Sequence, residues 1–439
     1  MIPSSSSVVL LHLVLCTPCL AQEPAQEDPW KRLSTLEKNV EDQGRQIEEL
    51  TRALESCGGG LTAGFDNGFF VQSPDGRERL DLGALLQING NFFERGLENR
   101  DSEFILRRMR FEISGEFYQR FIFNVEPKFT ESKVELEEAW IGARWEPGEL
   151  LIGRMKEPFS LEEMNPQKHL DYVNFSILNQ FVPAEDHGLT WLGSAGAGRV
   201  QYGAALYQGN GSEPLVRDDD VALRVVFKPF APTDSSLQGL QMGAAVTAGR
   251  SDESLAGEEL KTEARVPFLD FEPGSALDGD RVRRGLEAAY LVGPFAVSGE
   301  WISIEEEVVG SLGEDRSLTR GWYVATSCVL TGEKKSFRGV RPEAPVAGAN
   351  GSNGWGALQL AARFSTLALD DDWLTTGLVA PEEFPRRVQS FDIGFNWYLT
   401  YYTRIKLHYL HTHYDRDILF DDQFRSEEDA VLVQFQINF

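Results

Sequence analysis

The sequence predicts an all-β fold, a transmembrane antiparallel β-barrel, on three observations. From about Gly64 onward, strand after strand alternates apolar and polar side chains with a period of two. The polar faces carry many charged residues, and Gly, Pro, Asp and Asn punctuate the strands with no helical block of any length between them. The chain then stops on AVLVQFQINF, residues 430 to 439, a regular strand running to a terminal phenylalanine. Soluble domains usually let their last residues fray, so a strand that holds its period to the carboxylate must be paired.

Composition sets the outer limits. The chain has 439 residues and a formal charge of -26, from 42 Lys plus Arg against 68 Asp plus Glu, which makes nucleic acid a poor partner. Of four cysteines, Cys16 and Cys19 lie in the first twenty residues, so Cys57 and Cys328 remain, too few for a disulfide scaffold.

Residues 1–21 read as an export signal. VVLLHLVLC at 8 to 16 is the apolar core, and CLA at 19 to 21 offers small residues for cleavage before Gln22, although no Lys or Arg precedes the core. After Ala21 no apolar run reaches the length of a membrane helix.

Residues 30–57 carry heptads. Leu33, Val40, Ile47 and Leu54 lie seven apart, with Leu36, Gln43, Leu50 and Cys57 at the companion positions. The spacing predicts a coiled-coil oligomerisation helix, with a lone amphipathic helix as the alternative. Cys57 could join chains or simply fill the seam. A Gly-rich linker follows at 58–63.

The barrel region is assigned to 64–439. LDLGALLQING puts Leu80, Leu82, Ala84, Leu86 and Ile88 on one face. RRMRFEISGEF sets Met109, Phe111, Ile113 and Phe117 against Arg108, Arg110, Glu112, Ser114 and Glu116. TRIKLHYLH sets Ile405, Leu407 and Tyr409 against Arg404, Lys406 and His408. The charged faces suit a water-filled lumen, with the apolar faces to lipid. Aromatics near strand ends (Trp140 and Trp145, Trp397 and Tyr398, Tyr401 and Tyr402) suit the membrane interfaces. At about 9–11 residues per membrane strand, the region could supply fourteen to eighteen strands. Backbone groups in lipid must all be paired, so the last strand has to close onto the first.

At this point the residues resemble the phosphate-selective porins O and P of Gram-negative outer membranes. The stretches are GFDNGFFVQSPDG (64 to 76), FILRRMRFEISGEF (104 to 117), LLIGRMKEPFSLEEM (150 to 164), GLEAAYLVGPFAVSGEW (285 to 301), VLTGE (329 to 333) and WGALQLAARFSTLAL (355 to 369), in that order. The resemblance implies sixteen strands, a homotrimer in outer-membrane lipid, and Phe439 as the signal read by the barrel assembly machinery. It also implies a prefix helix pointing into the periplasm.

Selectivity rests on lumen charge. A loop folding back into the barrel would make the narrow point, and residues 160–187 are the candidate. Guanidinium and ammonium donors along the wall would replace the hydration of anions such as phosphate. Arg108, Arg110, Arg154, Lys156, Lys168, Arg404 and Lys406 are the candidate anion path, each with the plainer reading of a lumen charge paired to a carboxylate. Relatives commonly carry a basic residue just before the glycine leaving this loop. This chain instead has PAEDHG, so Glu162, Glu163, Asp171, Glu185 and Asp186 predict an acidic constriction that opposes phosphate preference.

The acidic triplets at 218 to 220, 305 to 307 and 370 to 372 read as solvated loop charge. In HYLHTHY, 408 to 414, His411 and His413 share a face opposite His408, so no metal set converges. No cofactor motif, nucleophile elbow or metal spacing occurs, and an enzyme is not expected. A passive channel for small hydrophilic solutes, anionic by preference, is favoured. The alternatives are a general or cation-leaning channel, or a structural barrel tethered to the cell wall through its coiled coil.

Overall fold

The alternation read from the sequence becomes a closed sheet. The structure, a computed structural model, describes residues 60–95, 97, 100–130, 133–208, 220–347, 354–420 and 423–439, together with Lys38, Asp42, Gln43 and Arg45. The chain forms two units, residues 1–60 and 61–439. Of the described residues of the first unit, Lys38, Asp42, Gln43 and Arg45 are helical and Gly60 is not. The expected export signal and most of the expected coiled coil, Cys57 included, lie outside the described residues.

In the second unit, β1 (Thr62–Phe65) and β2 (Phe69–Gln72) form a hairpin. Next come β3 (Arg79–Phe93), β4 (Glu103–Phe117), β5 (Phe121–Phe129), β6 (Val134–Trp145), β7 (Gly148–Lys156), β8 (Glu185–Ala195), β9 (Val200–Tyr207), β10 (Asp220–Phe227) and β11 (Leu240–Ser254). A small loop hairpin, β12 (Glu259–Lys261) and β13 (Pro267–Asp270), precedes β14 (Ala276–Val292), β15 (Phe295–Gly310) and β16 (Gly313–Val329). A second, β17 (Lys335–Ser336) and β18 (Gly339–Val340), precedes β19 (Ala357–Ala368), β20 (Arg387–Tyr398), β21 (Thr403–Phe420) and β22 (Gln423–Asn438). Leaving out the hairpins, sixteen antiparallel strands pair in sequence order, and β22 closes on β3 from Ala430↔Phe93 to Asn438↔Leu85. The triplet 305 to 307, read as loop, lies inside β15, where its neighbour-to-neighbour alternation continues the strand.

Phe439 completes the closure. Its N–H donates to the Ala84 carbonyl at 3.0 Å, and the Ala84 N–H donates back at 2.8 Å. The hairpin continues the sheet below that point, because β2 pairs with Arg79–Leu82 of β3 just where β22 ends. Phe65 and Phe69 pack on the Phe439 ring at 6.3 and 5.5 Å, and Tyr402 joins Phe65 at 5.2 Å. The terminal aromatic therefore sits in a small cluster at the end of the barrel that bears the short turns.

The sheet is inverted relative to a soluble protein. Leu82, Leu86, Ile88, Phe111, Leu286, Val297, Phe395, Leu407, Phe435 and Ile437 are exposed on the outside. Gln87, Asn89, Arg108, Arg363, Asn396, Lys406, Gln434 and Gln436 are buried inside. Lipid suits the outer set, and hydrogen bonds among wall residues and from wall to loop engage the inner one. Among the described residues no helix is long and apolar enough to cross a membrane. Trp145, Trp355, Trp397, Tyr401 and Tyr402 gather near the short-turn end, as an interface belt would. Tyr398 and Trp140 do not join it, because their strand positions turn them into the lumen.

The wall is uneven: β5, β7, β9 and β10 have eight or nine residues, whereas β14, β16 and β21 have seventeen or eighteen. Under the tall side the barrel is not hollow. Phe268 and Leu269 from the loop between β11 and β14, and Trp373, Leu378 and Phe384 from the loop between β19 and β20, join Phe159, Ile177 and Leu178 in an apolar core against Ile302, Val388 and Tyr414. Gly321 of β16 permits this packing, since a Cβ there would run into Leu178.

Candidate functional site: a lumen narrowed by an inward loop

Residues 157–184, between β7 and β8, cross the lumen. Sequence reading placed this loop at 160–187, but Glu185, Asp186 and His187 already pair with Lys156, Met155 and Arg154 as the start of β8. The first turn of the loop is the short helix α1 (Leu161–Met164), capped by Ser160, whose hydroxyl accepts the Glu163 N–H at 3.2 Å. The Glu300 carboxylate on β15 accepts from Ser160 Oγ and from the Leu161 and Glu162 N–H groups, at 3.1, 2.5 and 3.0 Å. A wall carboxylate thus takes the orphan donors of the helix start.

Beyond the helix the loop continues through two 3-10 turns, Gln167–His169 and Ile177–Phe181, and wall side chains bind its carbonyls. Arg404 and Gln436 donate to Lys168 O at 2.5 and 2.9 Å, Asn396 to Asp171 O at 2.8 Å, Lys406 Nζ to Tyr172 O at 2.5 Å, and Arg363 to Asn174 O at 3.1 Å. Arg404 and Lys406, expected to line an anion path, instead clamp the loop backbone.

The expected acidic residues are also engaged. Glu162 meets Arg363 at 2.7 Å, Glu163 meets Lys156 at 2.8 Å and Asn179 at 3.0 Å, and Asp171 meets Lys335 at 2.8 Å. Burial works to raise the Asp171 carboxyl, but the Lys335 ammonium beside it holds it below the usual carboxylate range. Burial pushes the His169 imidazole down to about 3, and the nearby cations Arg404, Lys168, Lys335 and Arg338 act in the same direction. Of the candidate bases, Lys168 pairs with Glu112 at 2.8 Å. Arg110 is held by Glu126 at 3.1 Å, by Glu137 and by Gln167 Oε1 at 2.6 Å. Arg154 lies on the outer face, opposite Ala139 and His187 and in step with exposed Ile152, and donates to Leu136 O. Gly153, between Ile152 and Arg154, sits at φ +136 without shifting the register to either neighbouring strand.

With the tall side filled, the open space lies opposite. A cavity of about 430 Å³ separates Met164, Pro166, Gln167 and Lys168 of the loop from the β4–β8 wall. It opens toward the short turns into a wider vestibule of about 1000 Å³, which shares Glu149, Met164 and Leu192 with it. Glu112, Glu126, Glu138 and Glu149 face the cavity among Leu85, Trp140, Leu151 and Met155. Glu126 and Glu138 are direct partners across β5 and β6. Glu138 has no cation within ion-pair distance among the described residues, and Asn124 and Trp140 donate to one of its oxygens at 3.3 and 3.0 Å.

Toward the long-loop end the charge reverses. The pairing of β3 with β4 skips a residue, Gln87 facing Arg108 and Ile88 facing Leu106, so Arg107 is the extra residue of a bulge. Two consecutive arginines therefore turn inward. Arg265, at φ +65 in the turn between β12 and β13, stands close enough to repel them. Arg108 is 5 % exposed and donates to Gln87 Oε1 at 2.9 Å. Among the described residues none of Arg107, Arg108 and Arg265 forms an ion pair. The sequence pattern puts Glu126 on a polar strand face without marking it as a site residue, and Arg107, Arg265, Glu138 and Glu149 are not marked at all. A strict period of two sends Arg107 outward, and no local signal ties a loop arginine to a strand.

Barrel and inward loop together define an outer-membrane channel of the porin class. The chain belongs to the family described as phosphate-selective porin O and P, whose profile matches residues 86–439. By fold it is similar to the outer-membrane channel DcaP of Acinetobacter baumannii, with 10 % identity, 86 % of this chain and 100 % of that one covered, and a TM-score of 0.53. It is likewise similar to OmpF of Salmonella typhi in complex with daunomycin, with 11 % identity, 86 % and 100 % covered, and a TM-score of 0.51. For the trimer form of OmpT of Vibrio cholerae the values are 10 %, 82 % and 99 %, and 0.50. No match is found among curated proteins. Family and fold locate the chain in the bacterial outer membrane.

Proposed function

We propose that the protein is a passive outer-membrane channel that favours small anions, whose path runs through the gap between the inward loop and β4–β8. One observation carries the preference: Arg107, Arg108 and Arg265 bring three cations together without a carboxylate partner among the described residues. Uncompensated guanidinium groups in a confined, partly dehydrated lumen attract anions and replace their hydration shell. Phosphate is one such anion, and the family description supports it. The loop's acidic residues do not oppose the preference, because Glu162, Glu163 and Asp171 are each bound to a cation.

A homotrimer fits the outer surface. An apolar groove on the low wall, bounded by Phe117, Phe121, Ile141, Trp145, Ile152 and Leu189, and the outward Arg154 nearby suit contact with another copy better than lipid. The OmpT structure named above is a trimer form. In this reading the coiled coil expected at residues 30–57 lies in the periplasm, and Phe439 is also the residue recognised during assembly.

A cation-leaning channel is the second reading, favoured by the free Glu138 carboxylate. Reversal potential in a planar bilayer under a salt gradient separates the two. Anion preference in the wild type that collapses in Arg107→Gln/Arg265→Gln supports the first, and cation preference unchanged by that pair of substitutions supports the second.

A further inference from the structure

The lumen keeps its two charge signs apart along the direction of travel. On β4 the inward residues run Arg107, Arg108, Arg110, then Glu112, and Glu112 lies near the level of the Glu126–Glu138 pair on the next two strands. Arg110 stands at the crossover and is held by Glu126, Glu137 and Gln167. Among the described residues, Arg107, Arg108 and Arg265 on one side and Glu138 on the other form no ion pair. Asn124, 6 % exposed and lining the same cavity, has an Oδ1 without a hydrogen-bond partner, an acceptor available to a second ammonium proton. Four strand residues separate Arg108 from Glu112, roughly 13 Å at 3.3 Å per residue. The cavity on the Glu138 side, which begins at Arg110, is not purely polar, since Leu85, Leu151, Met155, Met164 and the Trp140 ring line it.

We propose that this charge order makes the lumen a binding path for short zwitterionic peptides. The peptide carboxylate would lie at Arg107, Arg108 and Arg265, its ammonium group at Glu138 and Asn124, and its side chains against the apolar wall. Glu138 also lies two strand spacings of about 4.8 Å across the sheet from β4, so the two charge sets stand about 16 Å apart. An extended chain covers about 3.3–3.6 Å per residue, and they match the termini of a peptide of roughly four to five residues. A simple inorganic anion uses only the upper set and a simple cation only the lower one. The proposal rests on the anion-channel reading, because the arginines must be free to receive the carboxylate.

The test is block of single-channel current in a planar bilayer by tetra-alanine, its N-acetylated form and its C-terminal amide, using the full-length wild-type protein. Free tetra-alanine should block at about tenfold lower concentration than either capped form, the scale of one charge-assisted contact. In Glu138→Gln the free peptide should block no better than the acetylated one, and in Arg107→Gln/Arg265→Gln no better than the amide. Equal block by all three peptides in the wild type overturns the peptide path. Equal block together with an anion-selective reversal potential leaves the channel reading standing, and loss of anion selectivity in the same bilayer brings down both.

Discussion

Arg363 of β19 and Glu162 of the inward loop meet at 2.7 Å in the middle of the barrel, with 1 % and 7 % of their side chains accessible. The same guanidinium reaches Glu263 of the loop between β11 and β14 at 2.8 Å. One wall residue therefore ties two loops into the lumen, and Ser176 adds to the knot through its N–H and hydroxyl on Glu162. Removing one partner of a buried pair strands the other charge and costs about 3–5 kcal/mol. Arg363→Met should lower stability to urea by that order and release both loops. Single-channel conductance should then rise and become noisy. An unchanged current trace would show that the loops are held by other contacts.

The apolar core on the tall side carries a separate expectation. Trp373 is 2 % exposed, packs 5.4 Å from Phe271 and donates from Nε1 to Ser317 Oγ at 2.7 Å. Trp373→Ala should cost roughly 3–5 kcal/mol, the usual range for emptying an aromatic site. Urea unfolding followed by tryptophan fluorescence and by electrophoretic mobility measures it. Ion selectivity should not change, because the residue lies away from the open side.

The His169 ring gives a pH dependence. Its pKa falls from the ordinary 6.5 to about 3, through burial first and then the surrounding cations, so the packed loop favours the neutral ring. That contribution is complete above pH 6.5 and is lost progressively as pH falls toward 3. Acidification through this window should loosen the loop and raise current noise. His169→Phe, which cannot be protonated, should remove this component, as conductance recorded from pH 7 to pH 3.5 would reveal.

Phe439 combines closure with packing. Phe439→Ala keeps the backbone pair with Ala84 but loses the rings of Phe65 and Phe69, as does Phe65→Ala/Phe69→Ala from the other side. If the residue is also an assembly signal, Phe439→Ala should reduce membrane-inserted protein severalfold while the double variant lowers only thermal stability. Equal losses of inserted protein in both would assign Phe439 to packing alone.

The fold was legible because lipid on one side and water on the other impose a rigid period of two. That alternation identifies the outward Leu86, Ile88, Leu407 and Phe435 without ambiguity. It also explains the terminal strand, since closure needs its last pair. The lumen chemistry was only partly legible, for two physical reasons. A bulge shifts facing by one residue, and the sequence does not mark where it occurs, so Arg107 turned inward against its parity. Inside a barrel, moreover, a charge is defined by what faces it across the lumen. Lys406 looks like a channel wall in sequence, yet it serves the Tyr172 carbonyl 234 residues away. His408 showed the opposite behaviour: its side of the strand was readable, and it is buried on Asp392 and Asn396 while His411 and His413 lie on the other face.

Where the open path runs can be measured most directly with cysteines. In a background with every native cysteine changed to serine, Ser114→Cys would place a thiol on the wall of the 430 Å³ cavity. Ser390→Cys would place one on β20, 1 % exposed and on the side the loops fill. A negatively charged thiol reagent added to an open channel should cut the current through Ser114→Cys and leave Ser390→Cys unaffected. Block through Ser390→Cys, with Ser114→Cys insensitive, would contradict the path between the inward loop and β4–β8.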